Sequence, residues 1–462
     1  MNYTPATPAD RARMLRAIGA SSTDELFADV PASARRVRLN LPSALSEIEV
    51  TRLLRELSET NADLAHHPCF LGAGSYVHFI PSAVSHIVGR SEFYTSYTPY
   101  QPEVSQGTLQ TIYEFQSLIA SLTGMDIANA SLYDGASALA EAAIMAANLT
   151  GRGKVLLASS VHPDYRKVIG TYVQGLAFSV VSDPVGEHGT LEVDDLSPHL
   201  GSDVACVVAQ YPNFFGCLDD LDALAEAAHA AGALLVVAVN PLALGILTPP
   251  GELGADVVVG EGQPLGIPPS FGGPYLGLFA TRDQYIRHLP GRIVGATTDA
   301  KGERGFVLTF QTREQHIRRE KATSNICSNE ALCALASTVY LSHLGKSGLR
   351  QVAELCLRNA HYLAEEIAAI PGFRLVFDRP FFNEFVVRCP VPPAAINLKL
   401  RDVGIIGGYE LGRDYPELAD CLLFCATELN RRADMDRLVG VLRQASTQSA
   451  AVGAAEHGRN LG

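Results

Sequence analysis

A chain of 462 residues, 47% hydrophobic and 18% charged, has room for one large domain and a smaller one, and is too apolar to be wholly disordered. A net charge of −13 argues against binding a nucleic-acid backbone, and no apolar run approaches the roughly 20 residues that span a bilayer. The start, M-N-Y-T-P-A-T-P-A-D, is not a secretory signal, and the nine cysteines are scattered without a C-x-x-C pair, so a reduced, soluble, cytoplasmic protein is expected.

The first 60 or so residues read as short helices. Thr7 and Pro8 open one that Gly19 closes, while Ser22 with Glu25, and Ser46 with Glu49 ahead of Leu53, Leu54 and Leu57, have the spacing of capping boxes. From His66 to Gln106 the chain is rich in Gly, Pro and Tyr and has no clear period, which marks a functional loop or one wrapped on a partner.

A βα rhythm begins at Gly107. Leu109, Ile112, Ile119 and Leu122 mark a helix that stops at Gly124, and an Ala-rich helix is expected from Ser137 to Asn148. Apolar runs of strand length start at Val155, Val204, Ala233 and Ala255, with helical patterns between several of them. Continuous apolar strands alternating with helices predict a mainly parallel sheet buried on both faces. A Gly-rich, hairpin-like segment from Ser270 closes this region.

After about Ile317 the texture becomes that of a smaller α+β domain. Helical patterns start at Asn329 and Leu349, and short strands are expected at Phe373–Phe377, Glu384–Arg388 and Cys421–Ala426. The small, polar stretch from Ser446 is expected to be disordered. The expected organisation is therefore an N-terminal helical and Tyr/Pro/Gly-rich interface segment (1–106), a large α/β domain (107–316), a small α+β domain (317–445) and a tail (446–462).

Several chemistries find no support. No G-x-G-x-x-G follows a predicted strand, G-K-S at Gly345 has Tyr340 where a phosphate-binding loop needs glycine, and G-A-S-A-L at Gly135 lacks the last glycine of a nucleophile elbow. His66, His67, Cys69 and His78 fit no standard zinc spacing and read as packing and loop residues. Cys421 and Cys425 share a strand face as small buried apolar residues, and the mixed-charge R-E-Q-H-I-R-R-E-K from Arg313 reads as a solvated helix face, with docking of an acidic partner as the other reading.

Several long strings carry a family resemblance. They are Y-T-P-Y-Q-P-E-V-S-Q-G from Tyr97, L-T-G-M-D-I-A-N-A-S-L-Y-D-G-A-S-A from Leu122, H-P-D-Y from His162, G-E-G-Q-P-L-G-I-P-P-S-F-G-G-P-Y-L-G from Gly260 and R-R-E-K-A-T-S-N-I-C-S-N-E-A-L from Arg318. With D-E-L-F-A-D-V-P from Asp24 they run through most of the chain, and they resemble the P-protein family of the glycine cleavage system. The match is to the N-terminal half of the family's long form, which in many bacteria is a separate alpha subunit. The resemblance implies the aspartate-aminotransferase-like fold, fold type I of the pyridoxal-phosphate-dependent enzymes.

A working site of that kind needs a lysine to form an imine with the cofactor aldehyde, and an acidic residue at a central strand end to hold the pyridine nitrogen protonated. It also needs a Gly/Ser-rich turn at a helix N-terminus for the phosphate, and a flat side chain stacked on the ring. D-G-A-S-A at Asp134, with Gly135 and Ser137, is either a vestigial phosphate turn or an ordinary capped helix start. His162 is either the stacking residue or a loop histidine packed on backbone.

The other two requirements are missing. No carboxylate occurs between Glu226 and Glu252, and the resemblance aligns the imine position with Gln263, whose amide is not basic. None of the six lysines lies between Lys167 and Lys301, so no standard internal imine is expected and no residue of this chain is expected to be catalytic by itself.

The resemblance implies a sister subunit that carries the lysine and pyridoxal phosphate in an α2β2 heterotetramer. That assembly would decarboxylate glycine and pass the aminomethyl group to the lipoyl arm of the H-protein. Tyr94, Tyr97, Thr98, Tyr100 and Gln101 are the expected contribution to the partner's site, since aromatic residues with polar tips suit a pocket wall; a loop that ties down its own domain is the other reading. Two rival functions stay open. One is a self-standing pyridoxal-phosphate aldolase or aminotransferase using Lys301 or Lys321, and the other is a purely structural or regulatory partner.

Overall fold

In the computed structural model, which describes residues 5–35, 39–182 and 186–459 with side chains through Thr447, the chain divides into Met1–Ala62 and Asp63–Gly462. The first unit holds two principal helices, α1 (Pro8–Ile18) and α2 (Glu47–Ser58). Thr7 and Ser46 cap them through the expected boxes with Asp10 and Glu49. The box expected at Ser22 forms differently: Glu25 N–H donates to Ser22 Oγ, but the Glu25 carboxylate accepts from Ser21. Neither helix buries a residue, and Leu53, Leu54 and Leu57 stay exposed.

In the second unit the apolar runs pair as strands because each can bury both faces. The strands are β1 (Ile127–Ala128), β2 (Lys154–Leu157), β3 (Ser179–Val181), β4 (Val204–Tyr211), β5 (Leu234–Val239), β6 (Val257–Glu261) and β7 (Gly277–Thr281). They form one sheet in the order β1-β7-β6-β5-β4-β2-β3, with β2 to β6 parallel and β7 antiparallel to both its neighbours. Helices α3 (Gln106–Thr123), α4 (Gly135–Thr150), α5 (Pro163–Tyr172) and α6 (Leu221–Ala230) alternate with these strands. The alanines of α4 let that helix pack closely: Ala138, Leu139, Ala142, Ala143 and Ala146 lie in one core with Val207, Val236 and Val258.

A two-stranded hairpin follows, β8 (Ile293–Thr298) with β9 (Arg304–Thr309). Beyond it the two helical patterns expected after Asn329 are one long helix, α7 (Ala331–Ala368), bent at Gly345. Glycine takes the non-helical φ of 59° and ψ of −175° there without a Cβ clash, so the chain bends rather than stops. The smaller sheet is antiparallel, in the order β10 (Arg374–Leu375), β11 (Glu384–Arg388), β13 (Cys421–Cys425), β12 (Tyr409–Glu410), and packs with α7, α8 (Pro393–Asp402) and α9 (Arg432–Arg459).

The tail departs from expectation. Helix α9 runs through most of the stretch expected to be disordered, because extending a formed helix through alanines costs far less than starting one; residues 460–462 lie outside the described residues. The supposed helix face from Arg313 is also broken, into turns at Gln311–Arg313, Gln315–Arg318 and Arg319–Lys321, with Arg319 at a φ of 53°. No helix among the described residues is long and apolar enough to cross a membrane.

Candidate active site

Parallel strands direct their C-terminal ends to one edge of the sheet, and in an open α/β sheet that edge is where ligands bind. Here it collects His162 after β2, Tyr211 at the end of β4, Asn240 just past β5, and Glu261 and Gln263 at the end of β6.

Gln263 is 1% exposed and fully engaged. Its Oε1 accepts from Tyr76 N–H at 2.9 Å, and its Nε2 donates to the carbonyls of Tyr76 at 2.9 Å and Ile267 at 2.7 Å. Only a group that donates and accepts together can close this pattern, and a lysine ammonium only donates. Gln263 therefore clamps the 72–76 loop.

The start of α4 is a helix N-terminus with glycine and serine, but its donors are already used. Gly135 N–H donates to Glu261 Oε2 at 3.0 Å, and Ser137 N–H to the capping Asp134 Oδ1 at 2.6 Å. Glu261 accepts two further backbone N–H groups, from Gln263 at 3.0 Å and Leu276 at 2.9 Å. Burial pushes its carboxyl up to about 7, against the lowering effect of those three donors. A carboxyl group of the chain itself thus occupies the turn expected to bind a phosphate.

His162 caps α5. Its Nδ1 accepts from Asp164 N–H at 3.1 Å, which leaves the proton on Nε2 to donate to Ala73 O at 2.9 Å. Burial lowers its pKa, the bond to Ala73 opposing, so the ring is held neutral. Tyr165 stacks at 5.1 Å and Phe214 meets the ring edge-on at 4.8 Å. Loop residue Gly74, at a φ of +94°, lies so close that a Cβ there would come within 2.7 Å of Nε2.

The smaller sheet holds the same loop through Glu384. Its Oε1 accepts from Ala73 N–H at 2.6 Å and its Oε2 from Tyr76 Oη at 2.7 Å. Burial pushes this carboxyl up to about 7 as well.

Taken together, these residues do not fit pyridoxal phosphate. Gln263, expected at the imine position, is an amide bound to backbone, Gly135 N–H at the expected phosphate turn is taken by Glu261 and Ser137 N–H by Asp134, and Asn240, not a carboxylate, follows the central strand with its buried Nδ2 unpartnered. The histidine expected to stack on a ring is covered by the 72–76 loop, Tyr165 and Phe214.

The Tyr-rich residues are split. Tyr94 and Tyr97 are exposed, Tyr97 at 84%, and so is Gln101. Thr98 Oγ1 and Tyr100 Oη instead accept from Arg292 Nη1 and Nη2 at 3.3 and 3.1 Å, and the Arg292 guanidinium lies 5.4 Å from the Tyr100 ring centre. Sequence reading missed Arg292, Asn240, Glu261 and Glu384. Asn240 and Glu261 were within reach, each standing at the end of a predicted strand. Glu384 binds Ala73 and Tyr76, and Arg292 binds Thr98 and Tyr100, across more than 190 residues, which no local pattern announces. His78, expected only to pack, also pairs with a distant carboxylate, Glu428 at 2.7 Å, with the Cys356 thiol donating to Glu428 at 3.3 Å.

A family description, "Glycine cleavage system P-protein", matches residues 1–442. The chain is 59% identical over 447 residues to the "Probable glycine dehydrogenase (decarboxylating) subunit 1" of Thermomicrobium roseum, over 96% of this chain and 100% of that one. The protein of the same name from Desulforamulus reducens is 54% identical over 443 residues, with 96% and 99% covered. Among solved structures, a crystal structure of glycine decarboxylase (P-protein) of the glycine cleavage system in inhibitor-bound form matches with a TM-score of 0.90 and 45% identity, over 96% of this chain and 100% of that one. A sphingosine-1-phosphate lyase from Burkholderia pseudomallei, 16% identical with a TM-score of 0.67 over 93% of this chain and 97% of that one, shares the fold. The architecture is thus fold type I of the pyridoxal-phosphate-dependent enzymes, as expected. This chain belongs to the glycine cleavage system P-protein family.

Proposed function

We propose that this chain is the cofactor-free subunit of a two-subunit glycine dehydrogenase (decarboxylating). The observation that carries the proposal is Gln263: the residue expected at the imine position is an amide locked to backbone. A sister subunit supplies the lysine and pyridoxal phosphate, and the pair, as an α2β2 heterotetramer in the cytoplasm, decarboxylates glycine and hands the aminomethyl group to the lipoyl arm of the H-protein.

Within that assembly this chain holds the sister in its active form and completes the wall of its site. Residues 1–106 are the interface segment. Exposed Leu53, Leu54 and Leu57 on α2 and, in the second unit, exposed Tyr94 and Tyr97 each support that reading, since large apolar side chains left exposed are a usual mark of a contact. Tyr97 and Tyr100 present hydroxyls to the sister's substrate, with Thr98 and Gln101 beside them.

Replacing Tyr97 and Tyr100 together by Phe is expected to lower turnover of the reconstituted complex by about tenfold, the loss of one or two hydrogen bonds, while the subunits still co-purify. Wild-type turnover in the double variant would remove these residues from the site.

A further inference from the structure

Hairpin β8–β9 brings together two arginines that are 21 positions apart. Ile293 pairs with Thr309, so Arg292 and the 310–313 turn meet just beyond the open end of the ladder. They line a pocket with Glu314, Ser324, Cys327 and Ser328, next to the Tyr-rich segment.

Arg292 is 5% exposed. Its Nη atoms donate to Thr98, Ser328 and Tyr100, but buried Nε has no hydrogen-bond partner, and the nearest carboxylate oxygen, Glu314 Oε2, is 3.8 Å away. Arg313 donates from Nε to Phe310 O and from Nη2 to Gly291 O, while its Nη1 is also buried without a partner. Glu314 is shared further, lying 3.5 Å from His316 Nδ1. Two guanidinium groups therefore face one carboxylate, leaving one positive charge and two unmet donors in a place with little water. Such donors are costly to leave unpaired, and a charge-assisted acceptor in this pocket is what would satisfy them.

We propose that Arg292 and Arg313 form a binding site for a carboxylate monoanion. The charge count selects the class, because one negative charge balances the pocket whereas a phosphate monoester dianion would overshoot it. Resting on the function proposed above, the carboxylate is that of glycine, steered to or held at the sister's site by this chain. Thr98 then acts as a positioning residue for the Arg292 fork, and the Tyr100 hydroxyl, besides facing the substrate, accepts from the same fork.

Arg313→Gln in the reconstituted complex tests the site, with Arg313→Lys as the control that keeps the charge. The expected result is a rise in KM for glycine of about tenfold or more, not a fall in kcat, with the lysine variant in between and cofactor absorbance unchanged. An unchanged KM overturns the proposal. Loss of cofactor absorbance at an unchanged KM also overturns it, by assigning the pocket to a phosphate.

Should no glycine turnover appear with any sister subunit, the functional reading fails, and the site is then judged on the isolated chain by thermal unfolding. Stabilisation by sodium acetate over sodium chloride, lost in Arg313→Gln, upholds the site. Stabilisation by inorganic phosphate alone, or by neither ion, overturns it.

Discussion

Gln263 shows how one amide sets the work of a pocket. The amide fills its hydrogen bonds with Tyr76 of the 72–76 loop and with Ile267 O, so the residue expected at the imine position is a structural clasp. Restoring the amine would leave the rest of the pocket as it is: Glu261 still takes the Gly135 N–H and no carboxylate stands at the end of β5. Gln263→Lys is therefore expected to show no visible absorbance band with added pyridoxal phosphate. A borohydride-sensitive band in that variant would mean that the amine alone was missing.

The same residues set a pH dependence. Glu261 and Glu384 are raised from 4.5, and Asp219 from 3.8, to about 7, each mainly by burial. A raised native pKa means that the folded chain keeps a proton that the unfolded chain gives up. The stability these groups contribute is full below their unfolded values and is lost as pH rises toward about 7, at up to about 1.4 kcal/mol per pH unit for each group. Glu384→Gln keeps an acceptor for Ala73 N–H and cannot ionise. It should flatten the fall in unfolding free energy between pH 5 and pH 7, read from urea titrations at several pH values; an unaltered slope would place the titration elsewhere.

At the scale of elements, glycine at a bend decides more than the helical period on either side. Gly345 has a backbone conformation open to almost no other residue, and nothing lies within 4 Å of where its Cβ would be. Gly345→Ala therefore isolates backbone strain from packing and should cost about 1–3 kcal/mol, seen as a lower unfolding midpoint. A neutral change would show that α7 straightens freely.

Elements were legible where burial is complete on both faces. β4 and β5 follow their apolar runs closely, and β11 spans the predicted Glu384–Arg388. Hairpin β8–β9 escaped notice because only three of its twelve residues are buried and they alternate in no clean way. With it went the approach of Arg313 to Gly291 and Arg292, so a segment read as solvated turned out to line a pocket.

For the whole molecule, the chemistry that is absent was easier to read than the contacts that are present. A missing lysine is visible in any linear string, whereas the clasp around 72–76 joins Gln263, His162 and Glu384 from three distant stretches, and only the fold unites them. Family strings supplied the architecture, and the structure adds what crowds the strand ends: the 72–76 loop on Gln263 and His162, and the Glu261 carboxyl on Gly135 N–H.

The central claim is that this chain supports glycine decarboxylation only together with a sister subunit. Release of labelled carbon dioxide from carboxyl-labelled glycine, measured with pyridoxal phosphate for this chain, for the sister and for the two mixed, tests it directly. The account predicts no release from this chain by itself and full release from the mixture; carbon dioxide released by the isolated chain would contradict it.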